Sequence, residues 1–267
     1  MNHTLLVNGC SMSAAQHIVC MGSFRSLHRD DSGRERDINL NLPHSWFFLL
    51  AEKLSYKWEN LAYGGHGNDY IYETTLDYFM KIPKKDWPNH LVVIGWTTYD
   101  RFRIWDNYEN RYVYCSGNQL KWSYQDSKIQ TQSEWEKQNK KLEKYYYKYG
   151  VRHYNKEYQI MKTVSYIIGL QNFFENNGIP YYFFDAMGWI LGNEKEINRK
   201  ILKNNQGMTS IIDNNELVNK RNWYLTESFN DIAVRLNSFG VDDGHPGKEA
   251  HSEFSNTLYK NIMEIIE

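Results

Sequence analysis

Apolar residues along this chain form short unbroken runs and longer stretches at helical spacing, and the two kinds alternate. Residues Thr4 to Asn8, with Leu5-Leu6-Val7 inside, read as a buried strand that ends at Gly9. Residues 44–54 follow Pro43 and place Trp46, Phe47, Leu50 and Leu54 along one side of a helix. A second strand is expected through 56–62, broken by Gly64-Gly65, then a helix over 69–80 and a buried strand from His90 to Gly95. Residues 159–176 carry Ile160, Val164, Ile167, Ile168, Leu170, Phe173 and Phe174 on one apolar side, and Asn177-Gly178 ends that helix. Pro180 to Asp185 forms the next strand, and a last helix covers about 247–266.

Apolar strands separated by helices imply a parallel sheet covered on both faces, an α/β fold. In such sheets reactive groups gather at the carboxyl ends of the strands. The segments Gly9–Ser11, Gly64–Asn68 and Gly95–Thr97 all fall at strand ends, so they can converge. Two stretches break the alternation. Residues 102–155 hold a tyrosine- and tryptophan-rich, hairpin-like part and then a charged helical part; residues 193–230 are polar and rich in Asn and Lys. Both read as insertions over the strand ends within one domain spanning 1–267, since no Pro/Gly/Ser-rich linker divides the chain.

Composition adds exclusions. The 267 residues and 41% hydrophobic content suffice for one large core. A net charge of −1 gives no global pull toward nucleic acid or an anionic membrane. The three cysteines, Cys10, Cys20 and Cys115, cannot all pair with one another and contain no Cys-x-x-Cys, which suits a reducing compartment. The first strand begins almost at once, leaving no room for a signal peptide, and no apolar run approaches the roughly 18–20 residues that span a bilayer. A soluble, cytoplasmic protein is expected.

The candidate chemistry lies at the two ends. Ser11 follows the first strand in Gly9-Cys10-Ser11, a setting that exposes a hydroxyl near backbone N–H groups; serine there also serves as an ordinary helix cap. A serine hydroxyl needs a base, and His245 is the natural one, with Asp242 three residues earlier able to orient its ring. Asp243 is the alternative orienter, and Asp-Gly before Pro246 is also plain turn chemistry.

These segments, in this order, resemble the SGNH (GDSL-type) hydrolases along nearly the whole chain. Gly9-Cys10-Ser11 is similar to the family's Gly-Asp-Ser block, with cysteine in place of aspartate. Asn60 to Gly65 resembles the second block, whose glycine is Gly65, and Asp242 to His245 resembles the last. The third block departs: Gly95-Trp96-Thr97 puts threonine at the family's asparagine. The resemblance implies a three-layer α/β/α sandwich with a central parallel sheet, flavodoxin-like. It implies a Ser11–His245–Asp242 triad and an oxyanion hole from the Ser11 and Gly65 N–H groups with Thr97, or with Asn68 in compensation. It calls for neither a metal nor an organic cofactor.

Further candidates are substrate contacts. Arg101 could bind an anionic group, with Arg103 close behind, unless they pair with Asp100 or Asp106. His66 could touch substrate or compete as base, unless it is a solvent-facing loop histidine, and Trp96 stands beside Thr97. The other histidines, His17, His28, His44, His153 and His251, show no ligand spacing, so no metal site is expected. Residues 137–162 interleave Lys and Arg with tyrosines, which would suit a glycan or a single strand of nucleic acid, or a solvated helix face. The leading reading is a serine esterase acting on a small acyl ester, such as O-acetyl on a saccharide, with no nucleic-acid or membrane partner. The alternatives are an O-acyltransferase of the same fold and a catalytically weakened glycan- or nucleic-acid-binding module.

Overall fold

The computed structural model describes residues 3–19, 40–106, 111–116, 155–188, 216–224, 226–241 and 244–266. Five strands form one parallel sheet: β1 (Thr4–Asn8), β2 (Lys57–Asn60), β3 (His90–Trp96), β6 (Tyr181–Asp185) and β7 (Trp223–Tyr224), in the order β2-β1-β3-β6-β7. Between β3 and β6 in the chain, β4 (Arg101–Asp106) and β5 (Arg111–Ser116) pair as a separate antiparallel ribbon. That ribbon is the hairpin expected at the start of the 102–155 stretch. Most of that stretch, and of 193–230, lies outside the described residues.

Side chains alternate across the strands, and each set finds its own helices. Leu5 and Val7, Leu91 and Val93, and Tyr182 and Phe184 face α1 (Trp46–Leu54), α4 (Phe229–Leu236) and α5 (Lys248–Ile266). Leu6, Val92, Ile94, Tyr181 and Phe183 face α2 (Asn68–Lys81) and α3 (Lys156–Asn176). The result is the three-layer α/β/α sandwich, and both sheet faces are apolar because both are covered. Aromatic rings dominate the first core: Trp46 meets Phe184 and Phe254 edge-on at 5.4 and 5.7 Å, and Phe229 stacks on Phe254 at 4.5 Å. Each such ring, fully buried, contributes about 1.5–3 kcal/mol from area alone. Among the described residues no helix is long and apolar enough to cross a membrane.

Among the described strands and α-helices, two went unforeseen. β7 is only two residues long and exists through its pairing with Phe183 and Phe184, so no period could announce it. α4 opens with a capping box, the Ser228 hydroxyl accepting from the Asp231 N–H while Asp231 accepts from the Ser228 N–H.

Taking the sheet strands alone, the order is 2-1-3-4-5, so the chain reverses direction across the sheet between β1 and β3. In open sheets of this kind ligands bind at that switch point, outside the carboxyl ends of the strands. Polar residues finish three of the strands and tie down the loops there. Asn8 accepts from the Gly9 N–H and donates to the Ile71 carbonyl and the Thr75 hydroxyl; Asn60 donates to the Ser13 carbonyl; Asp185 accepts from the Met187 and Gly188 N–H groups.

One core contact carries a pH dependence. His251 on α5 is buried, and its Nδ1 accepts from the Trp46 N–H, the first amide of α1, at 3.0 Å. Burial pushes this imidazole down to about 3, and the charges that His245 and His44 would carry act the same way. The unfolded chain therefore takes up a proton near pH 6.5 that the folded protein excludes. The contact's stability is fully present above pH 6.5 and is lost as pH falls toward about 3. Chemical denaturation at pH 7 and pH 5 should show His251→Asn losing about 2 kcal/mol less than wild type over that interval. Equal losses would contradict the assignment.

Candidate active site

The turn after β1 is shaped by glycine. Gly9 has φ of +155°, and a Cβ there would lie 2.6 Å from Ser13 Oγ and 2.9 Å from the Gly95 carbonyl oxygen. The chain can thus drop against the end of β3 and then close a tight turn in which the Ser13 and Ala14 N–H groups donate to the Cys10 carbonyl. Ser11 sits at the start of this turn, 7% exposed. Among the described residues neither its hydroxyl nor its N–H has a hydrogen-bond partner. The turn does not extend into a regular helix, so the helix cap that Ser11 might have been is absent among these residues.

The glycine segment after β2 is bound to this turn along its length. Leu61 N–H donates to the Val7 carbonyl at 2.7 Å, and Tyr63 N–H to the Gly9 carbonyl at 3.1 Å. The Gln16 amide packs so closely on Gly64 that a Cβ there would stand 2.3 Å from its Nε2. Gly65 follows with φ of +79°, a left-handed conformation that favours glycine, and is exposed.

The third segment is fixed to the second through Asn68. Its Oδ1 accepts from the Thr97 N–H at 2.9 Å and its Nδ2 donates to the Thr97 carbonyl at 3.0 Å and toward the Thr163 hydroxyl at 3.3 Å. The amide is thereby committed to holding the Thr97 backbone, and this is the role the geometry gives Asn68. Thr97 is fully buried, and its Oγ1 accepts from Arg101 at 3.2 Å.

The last segment reaches the serine turn by backbone bonds. Val241 N–H donates to the His17 carbonyl at 2.9 Å, and the loop closes on itself through Gly240 N–H to the His245 carbonyl at 2.7 Å and a bridge between Phe239 and Pro246. A Cβ on Gly240 would sit 1.9 Å from the His17 carbonyl oxygen. The half-buried His245 ring lies against the His17 ring, centroids 5.1 Å apart. Asp242 and Asp243, the two candidate orienters, lie outside the described residues.

Other sequence candidates find different surroundings. Trp96 is fully buried and meets Phe183 edge-on at 5.5 Å, so its ring belongs to the core rather than to a substrate wall. His66 is not solvent-facing: it is 6% exposed, with Tyr63 and Tyr70 edge-on at 4.5 and 4.2 Å, and its Nδ1 lies 3.0 Å from the Gly64 carbonyl. Arg103 pairs with Asp69 and Glu73 of α2 and lies over the Tyr70 ring, while the Asp106 side chain lies outside the described residues. Burial pushes the Asp69 carboxyl up, and the Arg103 N–H and guanidinium, with the Tyr70 N–H, draw it back. Asp100 instead accepts from the Thr98 hydroxyl. Residues 137–154 of the basic, tyrosine-rich stretch lie outside the described residues; within α3, Lys162 rests against Tyr158 and Tyr166. Among the described residues no group of three or more His, Cys, Asp or Glu is placed to hold a metal ion.

Sequence reasoning missed Gln16 and His17. Neither has a motif, and their parts depend on contacts with Gly64 and with the 240–245 loop that only the folded chain reveals.

The fold and site together define a doubly wound α/β sandwich with a nearly buried serine and a histidine loop at its switch point. No protein-family model and no curated protein matches the chain. Solved structures do. They include the psychrotrophic esterase EstA from Pseudoalteromonas sp. (13% identity, 99% of each chain, TM-score 0.48). They also include an acetyl xylan esterase, Est2A, from the rumen bacterium Butyrivibrio proteoclasticus (10% identity, 99% of this chain and 64% of that one, TM-score 0.50). A third is a carbohydrate esterase family 2 enzyme with a carbohydrate binding domain from Corynascus thermopiles (12% identity, 100% of this chain and 67% of that one, TM-score 0.49). The chain thus spans less than two thirds of the acetyl xylan esterase's length. At such identities the likeness is one of fold.

Proposed function

We propose that the protein is a serine esterase that removes a small acyl group from an alcohol, with an O-acetyl group on a saccharide as the favoured substrate class. One observation carries the reading. The loops bearing Gly65 and His245 are each hydrogen-bonded to the turn bearing Ser11, at the Gly9 and His17 carbonyls. The segments carrying Ser11, Gly65 and His245 therefore share one end of the sheet, which supports giving them the parts of nucleophile, oxyanion donor and base. The acetyl group and the sugar are analogies of fold, drawn from the acetyl xylan esterase.

In this reading Ser11 Oγ attacks the ester carbonyl carbon while His245 takes its proton. Negative charge gathers on the carbonyl oxygen, held by the Ser11 and Gly65 N–H groups and the Thr97 hydroxyl. The tetrahedral intermediate collapses, His245 gives its proton to the departing alkoxide, and an acyl-serine remains. Water then attacks the acyl carbon, losing a proton to His245, and the acid leaves as Ser11 regains that proton. Asp242, or Asp243, orients the imidazole. A threonine hydroxyl reaches less far than an asparagine amide, so the third oxyanion contact is the weakest part of the site.

Acetate release from p-nitrophenyl acetate and from an acetylated xylo-oligosaccharide tests the proposal. Turnover that disappears in both Ser11→Ala and His245→Ala supports it. Saccharide binding with no turnover in any of the three proteins would favour the binding-module reading instead.

A further inference from the structure

We infer that His66 is a positioning residue: it fixes and polarises the peptide group whose N–H receives the oxyanion. The inference rests on the esterase reading, which assigns that N–H to Gly65. The Gly65 N–H and the Gly64 carbonyl belong to the same peptide group. His66 Nδ1 stands 3.0 Å from the Gly64 carbonyl oxygen, and because a carbonyl only accepts, Nδ1 carries the proton and donates. The peptide is trans, so its N–H points opposite to its carbonyl. A donor locked onto the carbonyl therefore sets the direction of the Gly65 N–H.

Such a lock is needed at this position. Gly65 has φ of +79° and Gly64 carries no side chain, so without restraint this peptide can rotate at little cost. Among the described residues nothing accepts from the Gly65 N–H, and Gly65 is exposed, so the group is open to a ligand. The His66 ring is itself held before any ligand arrives, buried and bracketed by Tyr63 and Tyr70 at 4.5 and 4.2 Å. A hydrogen bond to a carbonyl also polarises the amide and strengthens its N–H as a donor, a cooperative gain on the order of 10–30%. Both neutral imidazole and imidazolium can keep a proton on Nδ1, so this role does not depend on the protonation of Nε2.

The contribution is expected in the transition state, where the oxyanion exists, and not in substrate binding. His66→Phe keeps an aromatic ring and removes the donor; His66→Asn places an amide N–H near the Nδ1 position. With p-nitrophenyl acetate, kcat should fall about tenfold to a hundredfold in His66→Phe with KM little changed, and recover substantially in His66→Asn. The rate of labelling by a fluorophosphonate probe should follow kcat across the series. Wild-type kcat in His66→Phe would overturn the inference, as would equal losses in both variants with a changed pH profile, which would make His66 a base. Should His66→Phe fail to fold, His66→Gln replaces it, because its longer amide mimics Nε2; the inference then requires asparagine to exceed glutamine. Ser11→Ala keeps the two levels apart. Turnover surviving in Ser11→Ala sinks the esterase reading, whereas an inactive Ser11→Ala beside an unimpaired His66→Phe sinks this inference alone.

Discussion

Alanine at position 11 is expected to lower ester turnover by about 10⁴-fold or more while leaving the melting temperature within a few degrees of wild type. The two halves of this expectation have separate causes. On the esterase reading Ser11 is the group that forms the acyl intermediate, and what remains without it is the stabilisation offered by the oxyanion donors. Stability is kept because the Ser11 hydroxyl has no hydrogen-bond partner among the described residues, so removing it orphans nothing. His245→Ala should cost a comparable amount, and the double variant little more than either single one, since nucleophile and base act as a unit. Steady-state rates of the three variants, beside their thermal melts, check this. Additive losses would mean that the two residues do not serve one step.

The second large effect comes from a residue that takes no part in the chemistry. Gly240→Ala would put a methyl group 1.9 Å from the His17 carbonyl oxygen, the atom that accepts from the Val241 N–H. Both partners are backbone, so neither can swing aside as a flexible side chain would. The 238–247 loop must lift off the serine turn and carry His245 with it. Overpacking of this kind typically costs about 1–3 kcal/mol, and a displacement near 1 Å can cost about 10²-fold in rate. Gly240→Ala should therefore be folded, less stable by that margin, and slower by about two orders of magnitude. Gly178→Ala is the comparison for stability, since a Cβ there meets nothing within 4 Å although φ is +63°. It should lose some stability from backbone strain and no activity. Equal rates in both variants would show that the His17–Val241 contact does not set the position of the base.

Much of the sheet was legible because its central strands are buried on both faces and so read as unbroken apolar runs. Leu5 to Val7, Leu91 to Ile94 and Tyr181 to Phe184 needed no partner to be recognised. The helices α1 and α3 showed themselves by period, and the ends of α1, α2, α3 and α5 lie within three residues of those expected. What escaped was set by pairing. β7 has two residues, and α4 was hidden by the polar stretch before it, although Ser228 and Asp231 stood at capping-box spacing.

The site divides in the same way. The meeting of the loops that carry Ser11, Gly65, Thr97 and His245 was legible because each ends a strand or sits in a short motif. The surroundings of Arg103 and His66 were not. Arg103 reaches Asp69 and Glu73 because β4 begins beside the N-terminal turn of α2, where Asp69 accepts from the Arg103 N–H. The burial of His66 was not legible because nothing nearby in the sequence says that Tyr63 and Tyr70 close around it. Such contacts depend on how loops from separate strands meet, and local patterning carries no record of that.

Mass spectrometry of the intact protein after treatment with a fluorophosphonate, followed by peptide mapping, tests the central claim most directly. The account predicts one adduct per chain, on Ser11, formed at a rate that falls sharply in His245→Ala. An unmodified Ser11 in folded wild-type protein, or an adduct on another residue, would contradict it.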